Sequence, residues 1–110
     1  MNQKEENDFI RKYFKLGKVK YRNIICHDAN TVKEHRNIVS DVCEWLRENN
    51  MVFFTRVYTK WGEIIDIVAP DLPRPFLEIR HSELKKDKEY LSDYDGLRIF
   101  IDTTDPWKLL

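Results

Sequence analysis

The chain has few of the residues that would bend, staple or loosen it. Two cysteines, Cys26 and Cys43, cannot make a disulfide scaffold. Three glycines and four prolines are too few for a disordered or collagen-like chain. No apolar run reaches the ~18 residues of a spanning helix, and Met1-Asn2-Gln3-Lys4-Glu5-Glu6 carries no signal-peptide stretch. These absences imply a cytoplasmic protein with no membrane contact. Net charge is missing too, with 19 basic against 19 acidic residues. What is present is 110 residues, 42% of them hydrophobic and 13% aromatic. One domain with a real core is expected at this length.

The balanced total hides a gradient. Between Phe9 and Ile25 lie Arg11, Lys12, Lys15, Lys18, Lys20 and Arg22 with no acid among them, so the rest of the chain carries a net −6. A basic segment of this kind is suited to phosphate contact beside an acid-bearing body. Tyr13, Phe14 and Tyr21 interleave with the cations, a pattern that suits stacking on a single strand or closure of the core.

Apolar pairs Phe9-Tyr13 and Ile10-Phe14 predict a short helix over 8–16 stopped by Gly17, and residues 19–26 read as a short extended piece. Thr31-Val32-Lys33-Glu34 has the form of a capping box. Val32, His35, Ile38, Val39, Val42, Trp45 and Leu46 then recur at helical spacing, predicting a helix over 32–48. Four strands are predicted next, at 51–58, 64–69, 76–80 and 97–101, from their β-branched and aromatic content. A polar helix over 84–94 is placed between the last two. The order is α-β-β-β-α-β, an α/β (α+β) chain with a mixed sheet flanked by helices and one parallel crossover. A basic arm and helix over 1–28 precedes a core over 31–101.

Two acids interrupt apolar strands: Asp66 in Ile64-Ile65-Asp66-Ile67-Val68 and Glu78 in Phe76-Leu77-Glu78-Ile79. A buried carboxylate costs several kcal/mol unless it is paired or bound to a metal. Two on neighbouring strands repel, and a divalent cation such as Mg²⁺ or Mn²⁺ relieves them. The structural alternative places them at strand ends, exposed or paired with Arg80, His81 or Arg56. Glu78 and Arg80 share a strand face by alternation. Cys26, His27, His35 and Cys43 do not suit zinc. His35 and Cys43 are eight residues apart on one helix, about 12 Å along its axis, whereas zinc bonds are only ~2.0–2.3 Å. His35 reads as a satisfied core histidine.

Asp66, eleven residues, then Glu78-Ile79-Arg80, with that element order, resembles the PD-(D/E)XK nuclease superfamily, the restriction-endonuclease-like fold. The resemblance spans about two-thirds of the chain. It implies Asp66, Glu78 and the Ile79 carbonyl as holders of Mg²⁺ or Mn²⁺, with Glu34 on the first core helix assisting. It also implies Glu34, Asp66, Glu78 and Arg80 as the catalytic set. Arg11, Lys12, Lys15, Lys18, Lys20 and Arg22 would then track the DNA backbone with low sequence specificity. The family's usual lysine is Arg80 here. Arginine cannot serve as a base, though it can stabilise charge on a phosphate. Lys60, Lys85 or Lys86 could supply the missing lysine. Cutting both strands needs two sites, which a homodimer would provide. The alternatives are a catalytically silent module of the same fold that binds nucleic acid or a protein partner, and a small α/β protein whose acids are structural.

Overall fold

The computed structural model describes residues 1–15, 17, 19, 21–27, 31–80 and 97–102. It is a small α+β domain with helices α1 (Gln3–Tyr13) and α2 (Lys33–Glu48) and strands β1 (Phe54–Tyr58), β2 (Ile64–Val68), β3 (Phe76–Arg80) and β4 (Arg98–Asp102). The strands form one sheet in the order β1-β2-β3-β4. Strand β2 runs antiparallel to both β1 and β3, and β4 lies parallel to β3. The expected helix over 84–94 lies outside the described residues. Among the described residues no helix is long and apolar enough to cross a membrane.

The sheet is covered on both faces. Val39, Val42, Cys43 and Leu46 recur at three- and four-residue steps on α2 and pack on Phe53, Ile67, Leu77, Ile79 and Ile101. On the other face Ile10 and Phe14 meet Phe54, Val57, Ile65, Val68 and Phe76. The aromatics of the basic segment therefore go largely into the core. Phe14 is buried and Tyr13 half-buried, and both rings stand edge-on to Phe76, with centroids 5.5 and 5.4 Å away.

Two helix starts differ from expectation. Helix α1 begins at Gln3 rather than Asp8, because Asn2 and Glu5 form a reciprocal capping box. It ends at Tyr13, and Phe14 turns extended to bridge Thr59. Helix α2 begins after Val32, which offers no side-chain cap. The expected Thr31–Glu34 box does not form. The Thr31 carbonyl accepts from the Arg36 guanidinium instead, and the Val32 carbonyl takes the Arg36 N–H at 3.1 Å.

Side-chain alternation breaks once, on two strands together. Phe54 and Val57 lie in one cluster although three residues apart, and so do Ile65 and Val68. A regular strand would put such pairs on opposite faces. Thr55 pairs with Ile67 and Val57 with Ile65, so the rung between them sets Arg56 against Asp66. Arg56 has φ +48, a left-handed conformation that costs a non-glycine residue on the order of 1–2 kcal/mol. This turn brings Arg56 and Asp66 to the same cavity as His35 and Val39 of α2.

Candidate active site

The β2–β3 ladder pairs Val68 with Phe76 and Ile67 with Leu77, and it stops there. The next rung would set Asp66 against Glu78. At that point a side chain takes the place of the ladder. Asp66 Oδ2 accepts the Ile79 N–H at 2.9 Å, and the Asp66 charge acts on the Glu78 carboxyl close by. The two acids singled out in the sequence are thus neighbours where the strands part.

Their surroundings differ. Asp66 is half-buried and opens on a cavity of about 170 Å³ lined by Cys26, His27, Thr31, His35, Val39, Arg56 and Ile64. His35 Nε2 lies 3.3 Å from Asp66 Oδ2, while His35 Nδ1 is buried with no hydrogen-bond partner among the described residues. Thr55 holds the far wall. Its hydroxyl donates to the Ile24 carbonyl at 2.6 Å and accepts the Cys26 N–H at 3.0 Å, which ties residues 24–26 to β1. His27 Nε2 is then 3.3 Å from Ser40 Oγ. Burial holds His27 below its ordinary pKa, and nearby Arg36 and His35 add to the effect.

Glu78 is half-buried as a residue, but its Oε1 is sealed from solvent and has no hydrogen-bond partner among the described residues. Burial raises its pKa well above the ordinary 4.5, and the Asp66 charge raises it further. Arg98 acts against both. The Arg98 side chain is 1% exposed and donates to Glu63 Oε2 at 2.7 Å.

A carboxyl whose pKa rises on folding holds its proton more tightly in the folded chain. Its stabilising contribution is complete below the ordinary value and is lost as pH climbs towards the folded-state value. Melting temperature in chelating buffer is therefore expected to fall as pH rises above about 4.5. The loss from this group is at most about 1.4 kcal/mol per pH unit. Glu78→Gln should flatten that slope in melts taken from pH 5 to 8. Parallel curves for the two proteins would show that Glu78 does not titrate in this range.

Other expected site residues fall elsewhere. Glu34 is exposed in the first turn of α2 and does not line the cavity. Ile79 contributes its N–H to Asp66. Arg80 ends β3, its backbone paired with Asp102; its side chain lies outside the described residues, as do Lys18, Lys20, His81, Lys85 and Lys86. Arg11, Lys12 and Lys15 are exposed. Arg22 is not a free phosphate ligand, because its guanidinium makes two 3.1 Å bonds to the buried carboxylate of Glu6. The cavity adds Arg56 and His27 and turns His35 from a core residue into the partner of Asp66. The available signals were a charge in the middle of the Met51–Tyr58 run and a histidine on an apolar helix stripe.

No three His, Cys, Asp or Glu side chains gather as a metal cluster among the described residues. A cation at this place would have two carboxylates, Asp66 and Glu78, beside the Ile79 carbonyl, a donor set that suits Mg²⁺ or Mn²⁺ when water and phosphate oxygens complete the shell. Glu78 Oε1, buried with no hydrogen-bond partner among the described residues, fits that role, although Glu78 does not line the cavity on which Asp66 opens. No protein-family model, curated protein or solved structure matches this chain.

Proposed function

We propose that this chain is a metal-dependent deoxyribonuclease on a restriction-endonuclease-like αβββαβ core. The observation that carries the reading is the meeting of Asp66 and Glu78 at the point where β2 and β3 part, with Glu78 Oε1 buried and without a hydrogen-bond partner among the described residues. A divalent cation held there would supply Lewis-acid polarisation of the phosphodiester and acidify a water.

The chain's own residues do the rest. Ile79 N–H and His35 Nε2 both hold the Asp66 carboxylate at Oδ2. Arg56, on the cavity wall, is placed to neutralise a phosphate oxygen. Arg80 follows Glu78 by two residues and would act on the phosphate, not as a base. Arg11, Lys12 and Lys15 offer exposed charge for the DNA backbone.

Supercoiled plasmid incubated with Mn²⁺ should be nicked, and EDTA should stop the reaction. A homodimer would also yield linear product. No nicking in Mn²⁺ or Mg²⁺, together with salt-sensitive binding that EDTA leaves unchanged, would replace this reading with a silent nucleic-acid-binding module.

A further inference from the structure

Tyr13 and Phe14 of the basic segment pack into the core, yet one large aromatic elsewhere does not. Trp61, at the tip of the β1–β2 hairpin, is 57% exposed. The tip is tightly built. Thr59 is buried, and its Oγ1 accepts the N–H groups of Trp61 at 3.3 Å and Glu63 at 3.1 Å. Thr59 N–H donates to the Glu63 carbonyl at 2.8 Å, Gly62 N–H returns to Thr59 at 3.1 Å, and Gly62 takes φ +91. The Trp61 backbone is therefore held in place before any partner arrives.

The chain brings cations to this tip. Lys15 N–H donates to the Tyr58 carbonyl and Lys60 N–H to the Tyr13 carbonyl, at 3.2 and 3.0 Å. The segment after α1 is thereby laced to the hairpin, so that Lys15 and Lys60, both exposed, lie on the two joined segments at the Trp61 end of the hairpin. Arg11 and Lys12 are exposed one turn back on α1. The nearby acid Glu63 is taken up by Arg98. Three residues beyond Trp61, Ile64 is 40% exposed and lines the cavity that holds Asp66. Along the hairpin a lysine, an exposed indole and an apolar side chain thus precede the cavity that holds the carboxylate.

We infer that this stretch is a binding track for single-stranded DNA, with Trp61 stacking on an unpaired base and Lys15 and Lys60 holding the flanking phosphates. The inference rests on the nuclease reading for its choice of DNA and names the form of substrate that reading leaves open. A duplex hides its base faces and cannot use the indole. A single strand offers a π-face at every base, and stacking of this kind is sequence-tolerant.

The test is fluorescence anisotropy in EDTA with labelled oligo(dT) of about 15 nucleotides, near the upper site size of small single-strand binders, against a hairpin duplex. Oligo(dT) should bind about tenfold more tightly or better. Trp61→Ala should weaken that binding by roughly fivefold to a hundredfold, while Trp61→Phe should retain most of it. Lys15→Gln and Lys60→Gln should each reduce the salt slope by about 0.7. Equal or better duplex binding, an unaltered affinity in Trp61→Ala, a preference for oligo(rU), or no binding at all overturns the proposal. Because binding is read without metal, selective oligo(dT) binding with no nicking in Mn²⁺ defeats the nuclease reading alone. Nicking with no Trp61 dependence of binding defeats this one alone.

Discussion

Asp66→Asn is expected to lower Mn²⁺-dependent nicking by about a thousandfold or more, the scale on which loss of a charge-stabilising group at a phosphoryl centre acts. The substitution is nearly isosteric. The asparagine carbonyl can still accept the Ile79 N–H that Asp66 Oδ2 takes at 2.9 Å, so the β2–β3 junction keeps its brace. What disappears is one of two neighbouring negative charges. Removing it also relieves the Coulombic push on Glu78, so the melting temperature without metal should hold or rise. The two readouts move in opposite directions, which separates a chemical loss from unfolding. Nicking that survives in Asp66→Asn, with the same dependence on Mn²⁺, would remove Asp66 from the site.

The largest expected loss of stability comes from Phe76→Ala. Phe76 is fully buried and ringed by Phe9, Tyr13 and Phe14, with centroids 6.1, 5.4 and 5.5 Å away. Removing a core phenylalanine costs about 3–5 kcal/mol, against a typical total of about 5–15 kcal/mol. Urea unfolding should show that shift in midpoint, with melting lower by more than about 10 °C. Phe76→Leu should cost much less, because most of the volume stays. A loss below about 1 kcal/mol in Phe76→Ala would mean that α1 is not packed as described.

The sequence disclosed what leaves a mark in residue type. An acid inside an apolar run stands out, and Asp66 and Glu78 were legible for that reason. The apolar stripe of α2 was legible because it repeats over four turns. The start of α2 was not, since Thr31 and Glu34 satisfy a local pattern that Val32 and Arg36 override. Arg22 looked like part of a basic run because its partner, Glu6, is sixteen residues away and meets it only after folding. Trp61 carries no such mark, because exposure belongs to the fold, not to the letter. The lost alternation at Arg56 had no visible sign, as nothing in a strand-like run announces a left-handed arginine.

That arginine has a further consequence. Glycine would adopt φ +48 without strain, and asparagine with little, so Arg56 is a poor choice if the chain were shaped for heat resistance alone. A library screened only for survival at high temperature should drift to glycine or asparagine at position 56. A library screened for what the cavity does should keep the guanidinium opposite Asp66. The contrast between two such populations would reveal, at one position, which demand shaped this strand.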